Sequence, residues 1–121
     1  MEKINETVLD SFINLKGLLS QKVEEQSKND FLTFVKLMAP SIVSDFKMGS
    51  HIKVISNKLK ELEEGKIKRL MVFLPPRSSK SVLCSKLFPA WYIGRHPEHE
   101  ILTVSHSDQL SSDFGRSVRD I

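Results

Sequence analysis

A short basic segment in the middle of the chain has the residue types that phosphate chemistry requires. Arg77, Ser78, Ser79, Lys80 and Ser81 follow two prolines, which themselves follow an apolar run. In a phosphate-binding loop, backbone N–H groups and the positive end of the next helix converge on phosphate oxygens. A lysine then neutralises the β- and γ-phosphates, and the following hydroxyl coordinates Mg²⁺. Lys80 and Ser81 stand in that order.

This segment departs from the usual phosphate-loop pattern because both glycines of that pattern are missing. Leu74 occupies the first glycine position and Ser79 the second. A basic, serine-rich loop after a strand is more often only a loop, so the pattern alone does not establish nucleotide binding. If position 79 requires a left-handed backbone, a non-glycine residue there costs about 1–2 kcal/mol. The prolines fix φ and stiffen the start of the loop.

The residues around the loop predict a strand before it and a helix after it. Leu70–Leu74 is a continuous apolar run, typical of a strand buried on both faces. Leu83, Leu87 and Trp91 recur at spacings of four and indicate a helix. Ile101–Ser105 predicts a second short strand. Because parallel strands need a crossover connection, strand–helix–strand predicts a parallel sheet and an α/β fold.

Helices are also predicted on both sides of this unit. Residues 1–30 carry one apolar helical stripe, whose polar last third is either the end of that helix or a linker. Asp30 is placed to cap a second helix, which Pro40 is expected to end. A third helix has apolar residues three and four apart and ends at Gly65. A final helix is indicated by one further stripe: Leu110, Phe114 and Val118.

The composition describes an ordinary globular chain of at most one domain. It has 121 residues, of which 40% are hydrophobic and 27% charged. No apolar run approaches the roughly 20 residues of a membrane span, and the N-terminus lacks the features of a signal peptide. A single cysteine, Cys84, permits no internal disulfide and indicates a reducing compartment. The net charge of +3 is too small to indicate a polyanionic partner.

Three segments, taken in order, carry a family resemblance. The first is Phe46–Ile52, which leads into a helix and then Glu64–Leu70, and the second is the loop Leu74–Ser81. The third is Phe88–Pro97, followed by Ile101–Ser107 and Phe114–Ile121. Together they resemble the large subunit of tailed-phage DNA-packaging terminases over residues 30–121. The phosphate loop of that family commonly reads Pro-Pro-Arg-x-Gly-Lys-Ser. The missing first glycine is therefore normal there, whereas Ser79 replaces the usual second one.

The resemblance implies a fold and an activity. Residues 1–45 would form an N-terminal helical region, and 46–121 an incomplete P-loop ATPase domain with a parallel sheet and a phosphate loop at 74–81. The family's motor couples ATP hydrolysis, with Mg²⁺, to translocation of double-stranded DNA into a capsid. A portal protein, a small terminase subunit and other copies in a homo-oligomeric ring would be its partners in the host cytoplasm.

Single residues of the loop match residues with roles in that family. Lys80 matches the phosphate-binding lysine, and Ser81 matches the hydroxyl that coordinates Mg²⁺. Arg77 matches an arginine proposed to act near the γ-phosphate, where it would stabilise transition-state charge as a catalytic residue. The remaining loop positions would contribute backbone: Pro76, Ser78 and Ser79.

Two parts of the family's machinery are missing from the sequence. No apolar strand ending in Asp-Glu, the Walker B pair, follows the loop, and the nuclease domain is absent. We therefore expect a fragment or a truncated product that does not hydrolyse ATP by itself. Two alternatives remain open. One is a truncated, non-catalytic nucleotide- or DNA-binding module, and the other is a different P-loop ATPase or helicase.

Other chemically capable residues have simpler structural interpretations. His96 and His99 lie in a turn without a cysteine or carboxylate set at ligand spacing. The four histidines of the chain, which include His51 and His106, therefore do not predict a metal site. Trp91 is expected in the core because of its helical spacing. Two interpretations are open for the arginines of the last helix: they face DNA or a neighbouring subunit, or they pair with neighbouring aspartates at the surface. The second is the simpler expectation, and it pairs Arg116 and Arg119 with Asp113 and Asp120.

Overall fold

A computed structural model describes residues 2–121, and side chains from residue 6 onward. The regular structure of this part of the chain is entirely helical. The helices are α1 (Glu2–Asn29), α2 (Phe31–Ile42), α3 (Ser50–Glu63), α4 (Phe88–Arg95) and α5 (Asp108–Asp120), and a π-helical turn (Val82–Leu87) runs directly into α4. None of the helices in the described residues has the length and apolar content needed to cross a membrane.

The predicted α/β fold with a parallel sheet is wrong for the described residues. Leu70–Leu74 and Ile101–Ser105 form no strand there. Leu70, Val72 and Leu74 pack against the core, whereas the alternate residues Met71 and Phe73 are 80% and 84% exposed. A strand buried on both faces needs neighbours along its edges and cover on each side. Here the apolar run is covered on one side only, so its composition misled the prediction.

Helix α1 continues without a break through its polar last third, so that stretch is not a linker. Apolar side chains from Val8 to Val23 are 40–70% exposed. At the other end of the helix, Ser27 is buried, and its carbonyl accepts a hydrogen bond from Trp91 Nε1 at 3.0 Å. Helix α1 therefore joins the core through its C-terminal end.

The predicted cap of α2 is confirmed. Asp30 has an extended backbone, and its Oδ2 accepts hydrogen bonds from the Thr33 amide at 3.0 Å and the Thr33 hydroxyl at 2.7 Å. The predicted end at Pro40 is wrong, because α2 continues to Ile42. Pro40 removes its own N–H from the helix, but the last turn continues past it, and the Val43 amide donates to Ala39 O at 2.9 Å.

Helix α3 ends at Glu63, just before the predicted glycine. Gly65 has a φ of +74°, the left-handed geometry that glycine adopts without a steric cost. The amide of Lys66 then donates to Glu61 O at 2.9 Å, which satisfies one of the helix's last carbonyls. This turn leads the chain into Leu70–Leu74, which packs against the core and precedes the loop Pro75–Ser81.

The core lies between α2, α3 and the π-helix–α4 segment. Phe31 sits at its centre, with the Phe88 ring edge-on at 5.5 Å and the Trp91 ring at 5.3 Å. Trp91 is 3% exposed, which confirms the prediction of a core tryptophan. The other fully covered apolar side chains are Val35, Ala39, Ile52, Leu83 and Leu87.

The π-helical turn precedes a proline, and this order has a steric reason. The Phe88 amide donates to Leu83 O, five residues back. In an α-helix the ring of Pro89 would clash with the carbonyl of Ser85 and leave it without a donor. A wider turn moves that carbonyl away, as π-helical turns do inside otherwise regular helices. Leu83 and Leu87 both remain buried across the turn.

Candidate phosphate-binding loop

The loop after Leu74 encloses an open pocket of about 540 Å³. Val43, at the end of α2, and Val82, at the start of the π-helical turn, complete its wall. All the loop residues singled out from the sequence line this one pocket: Pro76, Arg77, Ser78, Ser79, Lys80 and Ser81.

The backbone of the loop is left-handed at two positions. Arg77 has a φ of 61° and Ser79 a φ of 60°, and no other non-glycine residue in the described chain has a positive φ. Left-handed residues alternating with right-handed ones turn successive N–H groups toward one side, and such concavities bind anions. Each position costs about 1–2 kcal/mol without glycine. Ser79 thus has a backbone conformation that glycine would adopt more easily.

The helix that follows the loop begins inside the pocket wall. Lys80 and Ser81 are already helical, and the Leu83 amide donates to Ser79 O at 3.0 Å. The first N–H groups of a helix have no acceptor within it, so they carry the positive end of its dipole. The Ser78 hydroxyl closes the turn by donating to Pro75 O at 2.6 Å. An anion in the pocket would therefore meet a preformed helix N-terminus.

The two cationic side chains of the loop are free of ion pairs. Arg77 and Lys80 are exposed, and neither takes part in a salt bridge within the described residues. Their charges are thus available to a ligand. Burial raises the pKa of the Cys84 thiol, and the nearby charge of Lys80 only partly opposes that rise. The half-buried Cys84 thiol therefore favours its protonated form, which is the less nucleophilic one.

The chemistry that this pocket can perform follows from the residues that line it. Two cations, two or more serine hydroxyls and a helix N-terminus suit a polyphosphate. Its lining contains no carboxylate. The described residues can bind and orient phosphates, but they provide no general base near them.

A second cluster lies in the turn after α4, where the sequence did not predict a site. Glu63, at the end of α3, accepts hydrogen bonds from His96 Nε2 at 2.8 Å and Arg95 Nε at 3.0 Å. Burial by itself would raise the pKa of Glu63, but the hydrogen bonds from His96 and Arg95 outweigh it and lower the pKa. His96 and His99 both face Glu98. The segment His-Pro-Glu-His was a sequence signal for part of this cluster. Glu63 could not be connected with that segment because it is distant in sequence.

The remaining residues that the sequence analysis weighed have structural roles. Arg116 Nη1 lies 3.7 Å from Asp113, and Arg119 Nε lies 3.0 Å from Asp120, so the predicted surface pairs are confirmed. The exposed ring of His51 lies over Gly49, the residue that precedes α3.

No protein-family model, curated protein or solved structure matches the chain.

Proposed function

We propose that the loop Leu74–Ser81 binds the triphosphate of ATP together with Mg²⁺. The observation that carries the proposal is the pair of left-handed residues, Arg77 and Ser79, immediately before a helix N-terminus. Such strain persists where the surrounding structure demands it, and it concentrates at ligand sites. Unpaired cationic side chains at the same place support an anionic ligand.

Each loop residue has a role in this proposal. Backbone N–H groups from Ser79 to Val82 surround the β-phosphate, and Lys80 neutralises the β- and γ-phosphates. The Ser81 hydroxyl coordinates the Mg²⁺ that accompanies ATP. Arg77 precedes the lysine in sequence, whereas Ser81 follows it. In this proposal Arg77 contacts the γ-phosphate, where it would stabilise charge during phosphoryl transfer.

We further propose that the chain is the ATP-binding part of a terminase-type DNA-packaging motor. The support is the order of the segments that resemble terminase large subunits, with the loop among them. In that role the complete motor would be a hydrolase that translocates double-stranded DNA. It would act with a portal protein, a small subunit and further copies of itself in a ring.

A second candidate is a non-catalytic nucleotide-binding module. The pocket lining favours a non-catalytic module, because the lining contains no carboxylate. A carboxylate would be needed to provide a second ligand for Mg²⁺ or to activate water. The two candidates share the loop chemistry and differ in what binding achieves. In a motor, ATP binding is coupled to DNA binding, and such coupling is reciprocal. A module without a motor function has no such coupling.

The loop assignment is tested by calorimetric titration of the protein with ATP and Mg²⁺. We expect Lys80→Ala to reduce affinity at least tenfold, because it removes the charge beside the β- and γ-phosphates. Lys68→Ala is the matched control, since Lys68 is also exposed but does not line the pocket. Equal affinities of the Lys80 variant and the unmodified protein would refute the assignment.

The motor and the module are separated by repeating the titration with double-stranded DNA present. A motor subunit should show a change in ATP affinity of about fivefold or more, the lower end of typical coupling. An ATP affinity that is independent of DNA at low salt would favour the non-catalytic module.

A further inference from the structure

The turn after α4 gathers three side chains with ligand atoms that zinc prefers. His96 Nδ1 lies 3.8 Å, and His99 Nε2 lies 3.7 Å, from the same carboxylate oxygen of Glu98. One ligand atom from each of the three groups lies within 4.8 Å of the others. Two imidazoles and a carboxylate converge on one small volume.

These distances are too long for hydrogen bonds and close to those between two ligands of one cation. An N–H···O hydrogen bond to a carboxylate has N and O about 2.7–3.2 Å apart, so both contacts of Glu98 are too long. Ligands about 2.0–2.2 Å from a tetrahedral zinc ion lie about 3.4 Å apart, close to the separations of Glu98 from both imidazoles. A small contraction of the turn would bring all three groups to coordination distance.

The other nitrogen of each histidine already has a partner. His96 Nε2 lies 2.8 Å from Glu63 Oε1, whose side chain is 5% exposed, and His99 Nδ1 lies 2.9 Å from the Tyr92 hydroxyl. Metal-binding histidines nearly always donate their second N–H to such a partner, which fixes the tautomer and orients the ring. If both do so here, the lone pairs of His96 Nδ1 and His99 Nε2 are left on the side of Glu98.

We propose that His96, Glu98 and His99 form a binding site for a divalent transition-metal cation, with Zn²⁺ as the fitting ion. Water would occupy the fourth position, since three protein ligands leave it open. The two imidazole rings are nearly parallel, with 12° between their planes. Coordination therefore requires a small tilt of one ring. His99, whose side chain is 49% exposed, has the room, and the tilt has to keep its Nδ1 within reach of the Tyr92 hydroxyl.

The charges around the turn are compatible with a bound cation. Arg95, the residue before His96, is a positive group close by, and it is engaged by Glu63 and by the carbonyl of Lys28 at 2.8 Å. Glu63 and Glu98 together provide two negative charges beside the site. Bound metal would fasten the turn to α3 through the contact between His96 and Glu63, independently of the phosphate loop.

Calorimetric titration of the 121-residue protein with ZnCl₂ tests this site. We expect one bound ion, and a loss of affinity of at least tenfold in both His99→Ala and Glu98→Gln. These residues are exposed, so their variants should fold. His106→Ala is the control, since His106 is also exposed and lies outside the cluster. No zinc binding, or binding that survives either ligand substitution, would overturn the proposal.

The partners of the histidines provide a second readout. Tyr92→Phe removes only the hydroxyl that lies next to His99 Nδ1. We expect this variant to bind zinc about tenfold more weakly, which is the lower end of the usual effect of losing a hydrogen-bond partner of a metal ligand. Circular dichroism checks that the helices persist in this variant. If Tyr92→Phe and Glu98→Gln both leave affinity unchanged, any bound ion is held by two surface histidines, and the three-ligand site is wrong.

Discussion

Replacing Ser79 with glycine should stabilise the protein. Ser79 has a φ of 60°, where its Cβ atom costs about 1–2 kcal/mol relative to glycine. Glycine also gains more freedom in the unfolded chain, which offsets about 0.5–1 kcal/mol of that relief. The limits of these ranges allow a net gain in the free energy of unfolding of about 0–1.5 kcal/mol, and their midpoints give about 0.75 kcal/mol. For a chain of this size, that corresponds to a rise in Tm of about 2–5 °C.

Thermal unfolding followed by circular dichroism measures this effect, and two variants isolate its cause. Ser79→Ala removes the hydroxyl but keeps the Cβ atom, so it should give no increase in Tm. Ser81→Gly places glycine at a helical position, with a φ of −66°, and should lower the stability by about 0.5–1 kcal/mol. A Ser79→Gly variant that is less stable than the unmodified protein would show that the left-handed backbone is not strained.

The same substitution bears on the proposed function. If the left-handed backbone is the binding conformation, Ser79→Gly keeps the loop geometry, and its affinity for ATP and Mg²⁺ should be equal or tighter. A large loss of affinity in calorimetry would mean that the serine side chain itself contacts the ligand.

Three further predictions concern the helices around the loop. Asp30→Ala should cost about 1 kcal/mol in urea unfolding at neutral pH, and Asp30→Asn much less, since asparagine also caps. Burial would raise the pKa of Asp30, but its hydrogen bonds with Thr33 and Lys60 outweigh this and lower the pKa. The contribution of the Asp30 carboxylate to the free energy of unfolding is therefore complete above the unfolded-state pKa and is lost as pH falls through the folded-state pKa. If the stability difference between the unmodified protein and Asp30→Ala stayed constant down to pH 2, this linkage would be contradicted. Trp91→Phe should cost about 2–3 kcal/mol, because the Ser27 carbonyl loses its donor and a cavity forms; a cost below about 0.5 kcal/mol would argue against a buried indole. Gly17→Ala should increase helicity and stabilise α1 by about 0.5–1 kcal/mol, since the added Cβ would meet no atom within 4 Å; reduced helicity would contradict the exposed placement of this residue.

Local rules made most helices predictable from the sequence. The cap at Asp30, the stop near Gly65 and the buried position of Trp91 each depend on residues within a few positions of one another. The strands failed for the opposite reason. A sheet requires partners from elsewhere in the chain, and the apolar composition of Leu70–Leu74 does not show whether such partners exist.

The residue types singled out the loop Leu74–Ser81 as a candidate, but they did not predict its backbone geometry. Lysine followed by serine before a helical stripe indicated where the pocket would lie. The left-handed backbone at Arg77 and Ser79 could not be anticipated, because glycine, the usual marker of that conformation, is absent from both positions. Likewise, the sequence contained His96 and His99 but not their relation to Glu63, which arises only when α3 and α4 pack together.

The π-helical turn also has a consequence for how the chain can change in length. In an α-helix, deleting one residue rotates everything beyond it by about 100°. Between Leu83 and Leu87, the wide turn already contains one residue more than an α-helix needs. Removing that residue would leave the buried side chains spaced three and four apart, still on one face. Because Pro89 favours the wide turn, we expect such a deletion to be tolerated only together with Pro89→Ala. We also expect relatives that lack this proline to be one residue shorter between the positions of Leu83 and Leu87.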